Sequence, residues 1–278
     1  MPEKVVNHWE KHARQWGLVG EPLRPTAQDI ECFARTVTDW CRSKNRVSLT
    51  SLLLGVTPEI AQMDWPGNTR LIAADYSEQM IGSLWKNQGA RERAALCADW
   101  RKLPLAGDSV DIVIGDGGFT LLSYPGGYRQ LAGEAHRVLR KDGLLIIRFF
   151  ISTGDQRTPG HVHEALLAGE IGNFHIFKFR LAIALQQSAS DGVSVGDVWE
   201  NWNNQGYDVD ELAAELGWQP QAMRTIDAYR GMAARYTYPT LPEVSAALSP
   251  WFERVAVYHH DYEFGENCPT LVFRPRKD

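Results

Sequence analysis

Five short apolar runs, SLLLGV, RLIAADYS, AALCAD, VDIVIGD and LLIIRFF, succeed one another between residues 51 and 150, separated by stretches with helical character. Runs of this length, rich in Leu, Ile and Val, are strands buried on both faces, and strands of that kind lie in parallel sheets whose crossovers are helices. The helix signals fall in the gaps. Thr57 before Pro58 is an N-cap with proline at the first helical position, and Ser77 caps EQMIGSLWKN. Tyr128, Leu131, Ala132, Ala135, Val138 and Leu139 recur at helical spacing before a turn at RKDG. The expected fold class is α/β, a doubly wound and mostly parallel seven-stranded sheet with an antiparallel last strand. Its final two strands are the hairpin of RVAVYHHDY and CPTLVFRP around FGEN.

Composition narrows the function classes. The 278 residues carry 29 Lys and Arg against 34 Asp and Glu, a net charge of -5, with 44% hydrophobic content. These values exclude disordered and collagen-like chains. The longest apolar run, GLLIIRFFIS, is interrupted by Arg148 and falls short of the ~20 residues that span a bilayer. The polar, acid-bearing start MPEKVVNHWEKHARQWG lacks the features of a signal or transit peptide, so the expectation is a cytoplasmic protein with no membrane partner. Cys32, Cys41, Cys97 and Cys268 form no C-x-x-C pair, and buried thiols are expected. Without a basic tract, no nucleic-acid partner is expected.

Four segments follow. Residues 1–47 read as an N-terminal helical segment broken by the rigid EPLRPT, and residues 48–150 hold the strand-helix core. Residues 151–232 interrupt the alternation with a helical insertion, read as a lid. Its five basic and eleven acidic residues give it a charge of -6, and it carries Phe174, Phe177, Phe179, Trp199 and Trp202. Residues 233–278 resume with the helix LPEVSAAL and the closing hairpin.

The strand ends carry the chemistry. Gly55, Asp75, Asp99 and Asp116 each stand at the carboxyl end of a strand, the edge where open parallel sheets bind ligands. A phosphate-bearing dinucleotide would call for G-x-G-x-x-G, whereas the chain has GVTPEI, with Glu59 placing a negative charge in the first helical turn. The 20-residue step from Gly55 to Asp75 still suits an acid that accepts both hydroxyls of a ribose. A nucleoside without phosphates satisfies both features.

LLLGVTP, AADYS, ADWRKLPL, VDIVIGDGGFTLL and RVLRKDGLLIIRFF, in this order, resemble the class I S-adenosylmethionine-dependent methyltransferases of the small-molecule type, with a Rossmann-like sheet and a degenerate glycine loop. The resemblance covers about residues 48–150 and returns at 240–276. Leu53, Thr57 and Glu59 stand where that family has an acid and two glycines. The resemblance implies S-adenosylmethionine as cofactor, with Gly55, Val56 and Thr57 by its methionine part and Asp75 on the ribose. It further implies that Tyr76 and Met80 flank the adenine, that Asp99 accepts the adenine amino group beneath a covering Trp100, and that Asp116 and Gly117 lie by the amino acid moiety or the sulfonium. Arg24, held between Pro22 and Pro25, is a candidate for the methionine carboxylate or an exposed residue.

For the acceptor, Phe119 and Arg148 are candidate contacts, Arg148 having as its alternative a structural ion pair with Asp111 or Glu134. His161 and His163 are candidate bases, or else solvent histidines on a loop. Asp75 and Asp99 have the alternative of capping turns, and Met80 and Trp100 that of packing. No carboxylate follows Asp116 in DGGFTLL to complete a metal site, so no metal is expected. The function expected is methyl transfer to a small molecule under the lid. The alternatives are a non-catalytic binding protein of the same fold and, disfavoured by GVTPEI, an NAD-dependent oxidoreductase.

Overall fold

The computed structural model describes residues 16–85, 92–155 and 157–276; the first fifteen positions of the expected N-terminal helical segment lie outside the described residues. A 3-10 turn at Trp16–Leu18 leads into helix α1 (Ala27–Ser43), whose N-cap Thr26 and Asp29 form a reciprocal capping box. Strand and helix then alternate through β1 (Leu49–Leu54), α2 (Pro58–Gln62), β2 (Thr69–Asp75), α3 (Glu78–Leu84) and β3 (Arg93–Cys97). They continue as β4 (Val110–Asp116), α4 (Gly126–Val138) and β5 (Leu139–Arg148). The inserted segment holds α5 (Pro159–Leu167), α6 (Phe174–Leu185), β6 (Val193–Ser194), α7 (Val195–Asn203), α8 (Val209–Leu216) and α9 (Pro220–Met223). The chain closes through β7 (Arg235–Tyr236), α10 (Leu241–Leu248), β8 (Phe252–Tyr258) and β9 (Thr270–Pro275).

One seven-stranded sheet has the order β3-β2-β1-β4-β5-β9-β8, with β9 antiparallel to both neighbours and the pairs β2-β3, β1-β2, β1-β4 and β4-β5 parallel. Because side chains alternate along a strand, the apolar runs feed two layers at once. Leu52, Leu54, Ala74, Leu145 and Ile147 face α4 and α10, while Leu53, Ala73, Ile112, Ile114 and Ile146 face α1, α2 and α3. A slip of one residue would exchange the two sets, so burial on both faces fixes the register through the neighbouring helices.

Two boundaries differ from the sequence expectation. RKDG is not a free turn: β5 begins at Leu139, opposite Val110, and pairing resumes at Ile112 and Leu144 across a bulge. The charged run stays in the sheet because Arg140 pairs with the buried Asp111 at 2.7 Å and Gly143 lies on the Asp111 carbonyl, where a Cβ would stand 2.5 Å away. The second difference lies beyond residue 232. There β7 pairs with β6, and Tyr238 packs into the apolar cluster of the inserted segment around Phe177, Trp202 and Met223. The Arg235 guanidinium donates to the carbonyls of Asp191 and Gly192, which holds this stretch to the insertion.

Arg148, at the carboxyl end of β5, is fully buried. Its guanidinium meets the Asp116 carboxylate at 2.5 Å, Asp29 of α1 at 3.2 Å, the Tyr262 hydroxyl at 3.2 Å and the Pro22 carbonyl at 2.9 Å. Burial alone would favour the uncharged form, but the Asp116 and Asp29 carboxylates outweigh it and push the arginine's ionisation well above its ordinary value. Replacing the guanidinium by a methionine side chain leaves two buried carboxylates without their counter-charge. Arg148→Met should therefore lose roughly 3–5 kcal/mol of stability in urea denaturation. A midpoint matching the unmodified protein would show that the network does not hold these elements together.

Candidate functional site

The carboxyl ends of β1, β2 and β4 open onto a cavity of about 180 Å³, which the inserted segment closes from the other side. Gly55 leaves β1 with φ +95, in the left-handed region that a side chain resists, and its N–H donates to the Ala74 carbonyl at 2.7 Å. A Cβ at Gly55 would meet Trp100 and Asp75 only at ordinary contact distance, so the conformation and not crowding calls for glycine. Crowding does govern Gly118, where a Cβ would stand 2.8 Å from the Trp100 ring. Trp100 is fixed in that position because its indole N–H donates to the Ala74 carbonyl at 2.6 Å.

Asp75, half-buried at the end of β2, completes this side of the cavity. One carboxylate oxygen accepts the Ser77 N–H at 2.8 Å, and no cation pairs with the group among the described residues. Burial raises its pKa to about 6, against the backbone hydrogen bond that lowers it. Ser77 in turn caps α3 through Met80 N–H, which brings Met80 to the cavity wall. Gly55, Val56, Thr57, Asp75, Met80, Trp100, Asp116 and Gly117 thus line one cavity.

Other sequence candidates stand elsewhere. Asp99 is outside the lining and forms an ion pair with Arg101 at 2.7 Å; the hydrogen bonds from Arg101 hold its carboxyl below the usual range. Tyr76 is 46% exposed and is likewise outside the lining. Arg24 is engaged by Glu59, its guanidinium 5.5 Å from the ring of Trp16, which itself lines the cavity. Phe119 is buried beneath the site between Tyr128 and Phe149. Arg148 has neither Asp111 nor Glu134 as partner: Asp116, Asp29, Tyr262 and the Pro22 carbonyl take up four of its five N–H donors, and the side chain is buried outside the cavity lining. Asp116 lines the cavity while one of its oxygens accepts from Arg148.

The two histidines do not reach the cavity. His161 completes the capping box of α5 with Thr158. His163 is buried with both ring nitrogens engaged, by Asn201 at 2.9 Å and the Tyr207 hydroxyl at 3.1 Å. His175 has its Nε2 on the Leu18 carbonyl at 3.0 Å, and burial lowers its pKa to about 3.

The opposing wall comes from the insertion, where Phe179 is one of the aromatic residues already noted and Lys178, Thr225 and Tyr229, with Tyr236 and Tyr238 beyond it, are the residues that sequence reasoning does not single out. The sequence does carry a signal for Lys178: FHIFKFRLAIAL is mostly apolar, Arg180 reaches Glu263 at its edge, and a lysine two residues earlier lies on a different face of the helix, among apolar residues. Tyr236 and Tyr238 carried none, since their position follows from the β6-β7 pairing.

The family model of a methyltransferase domain matches residues 55–147. A search of curated proteins found no match. Among solved structures, a Rhodobacter sphaeroides protein named for Zn-dependent alcohol dehydrogenases superposes with TM-score 0.65 at 14% identity, covering 99% of this chain and 100% of that one. The N-methyltransferase NodS of Bradyrhizobium japonicum WM9, in complex with S-adenosyl-l-homocysteine, gives 0.52 at 10% identity, with 98% and 100% covered. The 1,6-didemethyltoxoflavin-N1-methyltransferase of Burkholderia thailandensis gives 0.51 at 13%, with 99% and 88% covered. At these identities the likeness establishes the fold. Among the described residues no three His, Cys, Asp or Glu side chains gather as a metal-holding group.

The desolvated Asp75 carboxylate has a measurable consequence. Its folded pKa lies above its unfolded value of 3.8, so the ionised form is disfavoured in the folded state and stability falls as pH rises from about 4 to about 6. Asp75→Asn removes that cost. It should raise stability by roughly 1–3 kcal/mol above neutral pH, with the gain fading as pH falls through the folded pKa. Urea unfolding across pH reads this directly, and a gain independent of pH would contradict the assigned environment.

Proposed function

We propose that this chain, whose core is a class I S-adenosylmethionine-dependent methyltransferase domain with a Rossmann-like fold, transfers a methyl group to a small and partly apolar acceptor held beneath residues 151–232, acting as a lid. The observation that carries the reading is Asp75, a desolvated carboxylate with an oxygen to spare at the end of β2, facing the cavity beside Gly55 and Trp100.

The residues present suit such a cofactor. The cavity is mainly apolar and its strand-end side offers the Asp75 and Asp116 carboxylates and the Trp100 and Phe150 rings, surroundings favourable to a cationic sulfonium. Asp75 would hold the two ribose hydroxyls, the backbone at Gly55 the methionine part, and Met80 and Trp100 the adenine. When bound, the cofactor supplies an electrophilic methyl group on sulfur. The chain's part is to orient the acceptor in line with that methyl and to keep water out, and the lid wall of Phe179, Val195 and Val198 supports the second role.

The charge distribution supports a small acceptor. The insertion's eleven acidic residues lie outside the cavity lining, and Arg157 and Arg180 are engaged by Asp155 and Glu263, so neither is free to receive a polyanion. The protein should show no salt-dependent affinity for tRNA or single-stranded DNA by fluorescence anisotropy.

The cofactor reading has its own test. S-adenosylmethionine and S-adenosylhomocysteine should each raise the melting temperature by several degrees, and NAD should not, since a ligand at a hundredfold its Kd adds about 2.7 kcal/mol to the folded state. Asp75→Ala should weaken either adenosyl ligand tenfold or more in calorimetry, through loss of hydrogen bonds worth about 1.5–3 kcal/mol each. A folded variant with unchanged affinity would refute the ribose role.

A further inference from the structure

Lys178 is 5% exposed and stands in the middle of α6, with the aromatic rings of Phe174 and Tyr229 at 5.8 and 5.5 Å from its Nζ. Its Nζ donates to the Thr225 hydroxyl oxygen at 3.0 Å, while that hydroxyl donates onward to the Ala222 carbonyl at 2.6 Å. No carboxylate forms an ion pair with it among the described residues. It is also the one cation among the described residues that line the cavity, on the wall opposite Asp75 and Asp116. A buried ammonium with a single neutral partner is costly in a fold that pairs Arg148 with two carboxylates. A group aimed into a cavity at such cost marks a place for a ligand.

We propose that Lys178 is the group that receives the acceptor, and that the acceptor presents an acidic hydroxyl, a phenol or an enol, to its Nζ. This rests on the methyl-transfer reading above and names the substrate class for it. An aromatic or conjugated body suits the Phe179, Tyr229 and Tyr236 wall, and a hydroxyl requires only one basic group.

The electrostatics agree. Burial lowers the Lys178 pKa to about 7, so near neutrality the amine form is populated and can take a proton. The groups facing it do not compete. His175, one turn earlier on α6, is held neutral by burial, and the Tyr229 hydroxyl, on the segment after α9, has its pKa raised to about 12 by burial. Burial likewise pushes the Tyr236 and Tyr238 hydroxyls well above the ordinary tyrosine value.

The step balances. The acceptor O–H gives its proton to the Nζ lone pair, the bond's electrons stay on oxygen, and the oxyanion lies beside the new ammonium. As the oxyanion forms its bond to the methyl carbon, the carbon–sulfur bond would break with its electron pair returning to sulfur, the neutral thioether S-adenosylhomocysteine being the leaving group; the one positive charge then resides on the ammonium, whose proton leaves to solvent as product departs.

The probe is 4-nitrophenol, whose absorbance reports its ionisation, titrated at mildly acidic pH with and without S-adenosylhomocysteine. The protein should bind it as the anion, shifting its ionisation to lower pH. Lys178→Met should weaken that binding about tenfold or more and abolish the shift, while leaving S-adenosylhomocysteine affinity within twofold. Lys178→Gln is the second variant, should the methionine form fold poorly. Equal shifts with and without Lys178, failure of the unmodified protein to bind the phenol up to millimolar concentration, or a Lys178-dependent preference for benzoate over the phenol would each overturn the assignment. Loss of S-adenosylhomocysteine binding by the unmodified protein would instead refute the methyl-transfer reading, and the phenol titration separates the two failures.

Discussion

The buried guanidinium of Arg148 is the interaction on which the site's architecture depends. It joins the carboxyl end of β5 to Asp116 at the end of β4, to Asp29 at the start of α1, and to the Pro22 carbonyl and Tyr262 in the loops above the sheet. A charge this deep is tolerated only when nearly every donor has an acceptor. That requirement locks four separate chain segments into one arrangement, and Gly117 and Gly118, which line the cavity, follow directly from the Asp116 it holds. The N-terminal loop is thereby placed over the strand ends, where Leu23 and Trp16 close the cavity.

On that frame the two walls of the cavity have opposite character. The strand-end wall offers Asp75 and Asp116, and the wall from the insertion offers Lys178 with tyrosines around it. The net acidity of the insertion lies outside this interior. Charge counted along a segment therefore describes what approaches the protein, whereas the few side chains turned inward decide what binds. The apolar cluster around Phe174, Phe177 and Trp202 is what turns them inward, since α6 is covered along most of its circumference.

The sheet was legible because strands buried on both faces have few ways to be composed, and because glycine and acids at their carboxyl ends punctuate them. Gly55, Asp75 and Asp116 could be read for that reason. The exceptions are physical as well. RKDG reads as a turn by composition, but the Arg140 to Asp111 ion pair keeps it in the sheet across a bulge. Arg148 announced itself as an arginine needing a partner, while its actual partner Asp29, 119 positions away, is set by how α1 crosses the sheet. His161 and His163 drew attention as titratable groups near a strand end, yet a capping box and a pair of hydrogen bonds consume them. Lys178 is hidden by its own surroundings: a largely apolar helix reads as core, and of its three polar residues, His175, Lys178 and Arg180, only Lys178 lines the cavity.

The central claim is that an adenosyl sulfonium cofactor lies across the carboxyl ends of β1, β2 and β4 with its ribose on Asp75. A crystal structure grown with S-adenosylhomocysteine tests this most directly. The account predicts both ribose hydroxyls within hydrogen-bond distance of the Asp75 carboxylate, the adenine against Met80 and Trp100, and the thioether sulfur turned toward the Lys178 wall. Ligand bound at the amino edge of the sheet, or in the cavity with its ribose away from Asp75, would contradict it.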